Sequence, residues 1–401
     1  MASVAAASFR YPLAHDTWGE AERRAAIAVI ESGQTTMGRR VAAFEARFAA
    51  HFGARHAVMV NSGSSANLLA VAALFHTRPP LAREGAVAVV PAVSWSTTYF
   101  PLTQHGLTLR FVDIDRDTLN FDLAALARAL DERVRVVFAV NLLGNPNDYD
   151  AIATLLAGRD VTLIEDNCES MGARFGGRWA GGFGRIGTFS TFFSHHLSTM
   201  EGGVCLTDDD ELCQILRSLR AHGWTRDLAW PNPLAEPDPE GAFHEAFRFI
   251  LPGYNVRPLE VCGAIGLAQL ERLPGIVAGR RETARRLRER FSDLRGLRLQ
   301  REVGESSWFG FAFTLTEEAA VSRDVAVARL AAAGVECRPV VAGNFTRQPV
   351  MTHLRHEPPG ALPNADEVHD QGFYIGNNAM DDEDLERLHA AFRAALAGGP
   401  A

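Results

Sequence analysis

Gly187-Thr188-Phe189-Ser190-Thr191-Phe192-Phe193-Ser194-His195-His196-Leu197-Ser198-Thr199-Met200-Glu201-Gly202-Gly203 is the stretch on which the reading of this 401-residue chain turns. A strand-like Thr-Phe-Ser-Thr-Phe-Phe run leads into Ser194-His195-His196, and a Glu-Gly-Gly turn closes the segment. The forty basic Lys and Arg positions of the chain are all arginine. With no side-chain amine, the chain cannot form a covalent imine with an aldehyde, whereas the imidazole of His195 can still take up and release protons near neutrality. The plain alternative for His195 is a satisfied histidine packed in a strand-to-loop turn.

Working outward, 47% hydrophobic and 22% charged residues describe a globular chain with enough apolar surface for a large core. A formal net charge of −8, with no basic run, argues against a nucleic-acid or anionic-membrane partner. Uncharged apolar stretches such as Val87 to Val93 are too short to span a bilayer, and Met1 to Ser8 carries no positive charge ahead of its alanines, so no export signal is expected. Five scattered cysteines without a Cys-x-x-Cys pair fit free thiols in a reducing cytosol better than a disulfide frame or a metal site. The expectation is a soluble, cytoplasmic protein.

Apolar runs at His56–Asn61, Ala86–Pro91, Thr108–Asp113, Val134–Asn141, Val161–Asp166 and Thr188–Phe193 read as strands. Helical spacing lies between them at Ser64–Leu74, Leu123–Leu130 and Asp150–Ala157, so an α/β fold with a mostly parallel sheet is expected. Prolines at 231, 233, 237 and 239 mark an exposed loop. Beyond it, Pro258–Leu273 and Gly279–Leu294 read as two helices, the second Arg-rich and solvated. Strand-like Phe309–Leu315 and Val335–Val341 and a final helix at Asp382–Leu396 suggest a smaller α+β unit.

Chemistry in such sheets gathers at the carboxyl ends of strands. Asn61-Ser62-Gly63-Ser64-Ser65-Ala66-Asn67 stands between a strand and a helix, where small residues and free N–H groups suit a phosphate. A Ser cap alone would look similar. Asp166, at the end of Ile164-Glu165-Asp166, is placed to keep a pyridine nitrogen protonated, with Glu169 one turn on; a strand-end Asp capping a turn is its alternative. Trp95 offers a flat face for a ring, or is a core residue. Asn255 belongs to a turn, Leu251-Pro252-Gly253-Tyr254-Asn255. His222, Arg226 and Arg338 are candidates for a sugar or its diphosphate, or for ion pairs.

In order and spacing, from about Asp16 to Leu396, these segments resemble the DegT/DnrJ/EryC1/StrS sugar aminotransferase family of fold type I pyridoxal-phosphate enzymes. The resemblance extends to Asn141-Leu142-Leu143-Gly144-Asn145-Pro146-Asn147 and to Arg338-Pro339-Val340-Val341-Ala342-Gly343-Asn344-Phe345. It implies an aspartate aminotransferase-like fold: an arm at residues 1–25, a large cofactor-binding domain at 26–262 and a smaller C-terminal domain at 263–401. In this family a lysine precedes the Glu-Gly-Gly turn; drift from Lys to Arg would leave Arg there, not His195. The match is closer to a branch carrying histidine at that position.

The resemblance implies non-covalent pyridoxal or pyridoxamine phosphate, with Gly63, Ser64 and Ser190 on its phosphate and Asn255 supplied by the second subunit of a homodimer. Trp95 would stack on the ring, Asp166 face its nitrogen and Glu169 lie near its hydroxyl. His195 would be the catalytic base, assisted by Ser194. The implied reaction removes the C3 hydroxyl of a GDP-linked 4-keto-6-deoxy sugar, with L-glutamate as amine donor and ammonia released, toward a 3,6-dideoxysugar of the colitose type. The residues alone do not choose the nucleotide. A second histidine-bearing branch holds a two-iron cluster on four cysteines, but Gly223-Trp224-Thr225-Arg226-Asp227-Leu228 has no cysteine nearby, so no iron–sulfur cluster is expected. Competing readings are a pyridoxamine-phosphate-using aminotransferase and a non-catalytic relative that binds a nucleotide sugar.

Overall fold

The computed structural model describes residues 11–398; the segment Met1–Ser8 considered above lies outside them. Among the described residues, nine strands come before residue 210: β1 (His56–Val60), β2 (Val87–Pro91), β3 (Thr108–Val112), β4 (Val134–Val140), β5 (Thr162–Asp166), β6 (Arg174–Phe175), β7 (Arg178–Trp179), β8 (Ile186–Ser190) and β9 (Gly203–Thr207). Except for the β6–β7 hairpin, they form one seven-stranded sheet in the order β1-β9-β8-β5-β4-β2-β3. Pairing is parallel from β8 to β3, while β9 runs antiparallel to both its neighbours. The alternating faces of β2 show why these runs are apolar throughout. Val87 and Val89 enter one core with Leu126, Val137 and Ile152, and Ala88 and Val90 enter another with Leu69, Tyr99 and Leu216. A strand covered by helices on both faces has no polar side to present.

The β8 strand expected at Thr188–Phe193 ends earlier, at Ser190. Thr191 still donates its N–H to the Gly202 carbonyl (2.9 Å), but its own carbonyl accepts from the Thr199 N–H (2.8 Å), which ends the ladder and turns the following residues into a loop. The two helices expected at Pro258–Leu273 and Gly279–Leu294 are one helix, Glu260–Arg290, with Pro274 inside it. By length and composition this helix meets the minimum for a bilayer span. Its apolar residues Cys262, Leu270 and Leu273 are instead buried with Phe44, Phe48 and Phe189.

A second sheet of β10 (Leu297–Leu299), β11 (Gly310–Leu315), β12 (Cys337–Arg338) and β13 (Gly372–Gly376) has the order β10-β11-β13-β12 and is antiparallel throughout. Of the expected strand Val335–Val341, Cys337–Arg338 joins this sheet, and Val335 makes an isolated bridge to Tyr11. Val341 has a positive φ of 50°, which no ladder accommodates. Phe291, Phe313, Phe373 and Phe392 form the centre of this sheet's own core.

A buried ion pair ties the first sheet's edge to its helices. Arg220 Nη1 donates to Glu45 Oε1 at 2.5 Å and to the Met59 carbonyl at 2.8 Å, and Met59 N–H donates to the same carboxylate at 2.8 Å. The two side chains are 4% and 8% exposed. Glu45→Gln leaves the guanidinium without its counter-charge and is expected to destabilise the fold by about 3–5 kcal/mol. The urea-unfolding midpoint, compared with that of the parent, checks this.

Candidate active site

The carboxyl ends of β1, β5 and β8 reach one edge of the sheet, and the antiparallel β9 begins there. Gly203 pairs with Val60 on one side and Ser190 on the other, and Asp166 pairs with Thr188. A cavity of about 640 Å³ opens at this edge, lined by Gly63, Ser64, Trp95, Asp166, Glu169, Ser190, Ser194 and His195. All the residues expected to catalyse or to hold the cofactor, but one, thus line one cavity. The exception is Asn255, which is exposed, accepts from Arg257 Nε at 3.0 Å and stands outside the cavity lining of its own chain. Its neighbour Val256 accepts from Asn61 N–H at 3.0 Å, so the turn runs beside the Ser62–Gly63 loop.

The helix Gly63–Ala73 starts at the cavity, and its first-turn N–H groups have no acceptor within the helix. Ser62 caps only the Ser65 N–H (3.1 Å), which leaves those of Gly63 and Ser64 for a ligand. A β-carbon on Gly63 would come within 2.6 Å of the Ser190 β-carbon and 2.9 Å of Cys168 Sγ, closing the cradle. Ser64 Oγ donates to Thr97 Oγ1 (3.1 Å) across the same mouth. Trp95, at the start of the helix Ser96–Gln104, is 58% exposed, so its indole face is open. It is not a core residue.

Asp166 is buried and accepts three hydrogen bonds. Asn67 Nδ2 (2.9 Å) and Thr98 Oγ1 (2.8 Å) donate to one oxygen, and Cys168 N–H (3.1 Å) to the other. Asn67 is fixed in turn by accepting from Thr188 Oγ1 at 2.6 Å. Sequence reasoning assigned no role to Asn67 or Thr98, although Asn67 closes the quoted Ser-Gly loop. Glu169 receives one N–H, from Leu143 at 2.9 Å. Burial, with the nearby charge of Asp166, pushes its pKa up to about 7. Leu143 itself has a positive φ of 53°, a strained conformation that aims this N–H.

His195 stands on the excursion between β8 and β9. Its neck is tied by Thr191 and Thr199, whose hydroxyls meet at 2.6 Å, and by the Thr199 N–H on the Thr191 carbonyl at 2.8 Å. The imidazole packs against Phe309, with ring centroids 5.1 Å apart, and its Nδ1 is buried without a hydrogen-bond partner. Burial, reinforced by the Arg280 charge, lowers its pKa to about 4. Ser194 lines the cavity beside it. From the second sheet, Arg338 and Tyr374 complete the wall, Arg338 paired with Glu336 at 2.9 Å. Arg226 instead stacks near Trp224 (4.9 Å) and, like His222, lies outside the cavity lining.

These residues fit a phosphorylated pyridine aldehyde or amine. The helix-start cradle suits its phosphate, the open indole a ring face, and the triply bonded carboxylate a ring N–H. A family model described as the DegT/DnrJ/EryC1/StrS aminotransferase family matches residues 16–393. The GDP-4-keto-6-deoxy-D-mannose 3-dehydratase of Yersinia pseudotuberculosis is 50% identical over 372 residues, 92% of this chain and 95% of its own. Two solved structures are each 46% identical and cover 96% of this chain and 100% of theirs. They are Escherichia coli GDP-4-keto-6-deoxy-D-mannose-3-dehydratase with bound hydrated PLP (TM-score 0.94) and GDP-4-keto-6-deoxymannose-3-dehydratase with a trapped PLP-glutamate geminal diamine (TM-score 0.93).

The lowered pKa of His195 has a consequence for stability. The unfolded imidazole binds a proton below about 6.5 and the folded one only below about 4. The unfolded state therefore holds more protons in that window, and stability falls as pH drops through it. In the cofactor-free protein, His195→Asn should show a smaller loss of melting temperature between pH 7 and pH 5 than the parent, measured side by side.

Proposed function

The chain belongs to the DegT/DnrJ/EryC1/StrS aminotransferase family, and from that premise we propose that it is a pyridoxal-phosphate-dependent 3-dehydratase acting on GDP-4-keto-6-deoxy-D-mannose or a close nucleotide-linked relative. L-Glutamate is the amine donor and ammonia a product. The observation that carries this reading is a histidine without a lysine anywhere in the chain, set in an otherwise complete cofactor site. The deoxysugar product suits lipopolysaccharide O-antigen synthesis, and a nucleotide-sugar substrate supports a cytoplasmic enzyme.

In this reading Gly63, Ser64 and Ser190 hold the phosphate, with Asn255 reaching in from the second copy of a homodimer. The exposure of Asn255, away from its own cavity, supports that exchange. Trp95 would lie on the ring and Asp166, fixed in place by three donors, would face the ring nitrogen. Glu169, its pKa raised to about 7 by burial, would lie near the ring oxygen, where it can hold or release a proton. When bound, the cofactor supplies an amine taken from glutamate and an electron sink for breaking the sugar's C3–O bond.

His195 supplies proton movement. Its Nδ1 is enclosed, so Nε2 is the nitrogen turned to the cavity, and its low pKa keeps that nitrogen free to accept a proton at neutral pH. Once protonated, the same nitrogen can return the proton to the departing hydroxyl, with Ser194 alongside. An imidazole cannot retain the cofactor covalently, so the amine leaves with the dehydrated sugar and is lost to water.

The test is to incubate the loaded enzyme with glutamate and GDP-4-keto-6-deoxymannose and weigh the product. The expected product is a ketone lighter than substrate by one oxygen; an amino sugar as main product contradicts the reading. His195→Asn is expected to lower kcat by about 100-fold or more, while the cofactor affinity, read by equilibrium dialysis, changes little.

A further inference from the structure

Arg280, on the helix Glu260–Arg290, is 9% exposed and lies near enough to His195 for its charge to act on the imidazole. Burial pulls its pKa down to about 10, and among the described residues no carboxylate makes an ion pair with it. Its Nη1 donates to the carbonyls of Phe309 (3.0 Å) and Trp308 (3.4 Å). A guanidinium taken out of water without a counter-charge is destabilising, and folds keep such groups where the site uses them.

The two carbonyls belong to the wall of the imidazole. The Phe309 ring lies 5.1 Å from that of His195 and 5.9 Å from that of His196. Trp308 holds a positive φ of 49°, costly for a bulky residue. The segment is pinned from three further sides. Ser307 and Phe309 N–H groups donate to the Gly144 and Leu143 carbonyls (both 2.9 Å), His196 Nε2 meets the Ser307 carbonyl at 3.0 Å, and Asn377 Nδ2 donates to the Trp308 carbonyl at 2.8 Å. Because Nδ1 of His195 has no hydrogen-bond partner, packing against this wall, and not a bond, sets the tilt of the ring.

We propose that Arg280 is the positioning residue of His195, acting through the Trp308 and Phe309 carbonyls to hold the aromatic wall against the imidazole. This rests on the reading of His195 as the base. The fixed charge adds a second effect, since it opposes a proton on the ring. The neutral His196 is the adjacent titratable group, and Asp166, Glu169, Glu201, Arg338 and Tyr374 face the ring from the rest of the cavity.

The experiment compares Arg280→Met and Arg280→Lys in the pyridoxal-phosphate-loaded enzyme, with two readouts. One is kcat and KM for the sugar. The other is the NMR titration of the His195 ring in histidine-labelled protein, assigned by its loss in His195→Asn. In Arg280→Met the titration should move up by about one pH unit and kcat fall about tenfold or more, with KM changing less than about threefold. Arg280→Lys keeps the charge but not the two-carbonyl grip, so its titration should stay at the parent value while kcat recovers only in part. An unmoved titration in Arg280→Met, or a rise in KM at constant kcat, overturns the proposal. Should Arg280→Met not fold, Phe309→Leu carries the test: kcat falls with Arg280 and the titration in place, and an unchanged kcat overturns it. A fully active His195→Asn would instead overturn the base assignment, which the titration does not depend on.

Discussion

Two glycines let three stretches of backbone meet with nothing between them, and the cavity depends on that meeting. A β-carbon at Gly203 would lie 2.3 Å from the Ser62 carbonyl oxygen, and one at Gly63 would lie 2.6 Å from the Ser190 β-carbon. The turn into the helix Gly63–Ala73, the end of β8 and the start of β9 are thereby locked at one sheet edge. Because β9 runs against its neighbours, the chain between Ser190 and Gly203 must leave the edge and return to it. His195 rides on that excursion, opposite the helix start and beside the Asp166 strand end. A single β-carbon at either position would push these pieces apart.

Around this frame, environment gives similar groups different tasks. Asp166 accepts three hydrogen bonds and Glu169 one, though both are carboxylates on the same turn. The first is a firmly held acceptor suited to a ring N–H, and the second, its pKa raised to about 7 by burial, can hold or release a proton. His195 has burial and a guanidinium against it and acidic groups only across the cavity, which leaves it a neutral acceptor. Of the residues with strained backbones, Val341 lines this space, and Leu143 and Trp308 stand next to its lining residues Leu142 and Phe309.

Much of this was legible in the sequence. The strand ends were, because strands covered on both faces are unbroken apolar runs that stop at polar residues such as Asp166 and Asn61. The chemistry of His195, Asp166 and the Ser-Gly loop was legible because each is a residue type at a strand end. The continuity of the helix Glu260–Arg290 was not, since Pro274 and the Gly-rich surroundings read locally as a break that tertiary packing overrides. Nor were Asn67, Thr98, Arg280 and Phe309, whose roles come from contacts across the fold. Arg280 in particular is one of forty basic residues, and only its burial without a carboxylate distinguishes it.

The central claim is that replacing an amine by an imidazole at one position turns a site equipped for moving nitrogen into one that removes oxygen. The direct measurement is the fate of the nitrogen from [15N]glutamate during turnover of the nucleotide-linked 4-keto-6-deoxy sugar. The account predicts the label in free ammonium, in equal amount to the 3-deoxy ketone formed and absent from the nucleotide sugar. Label retained on the sugar would contradict it.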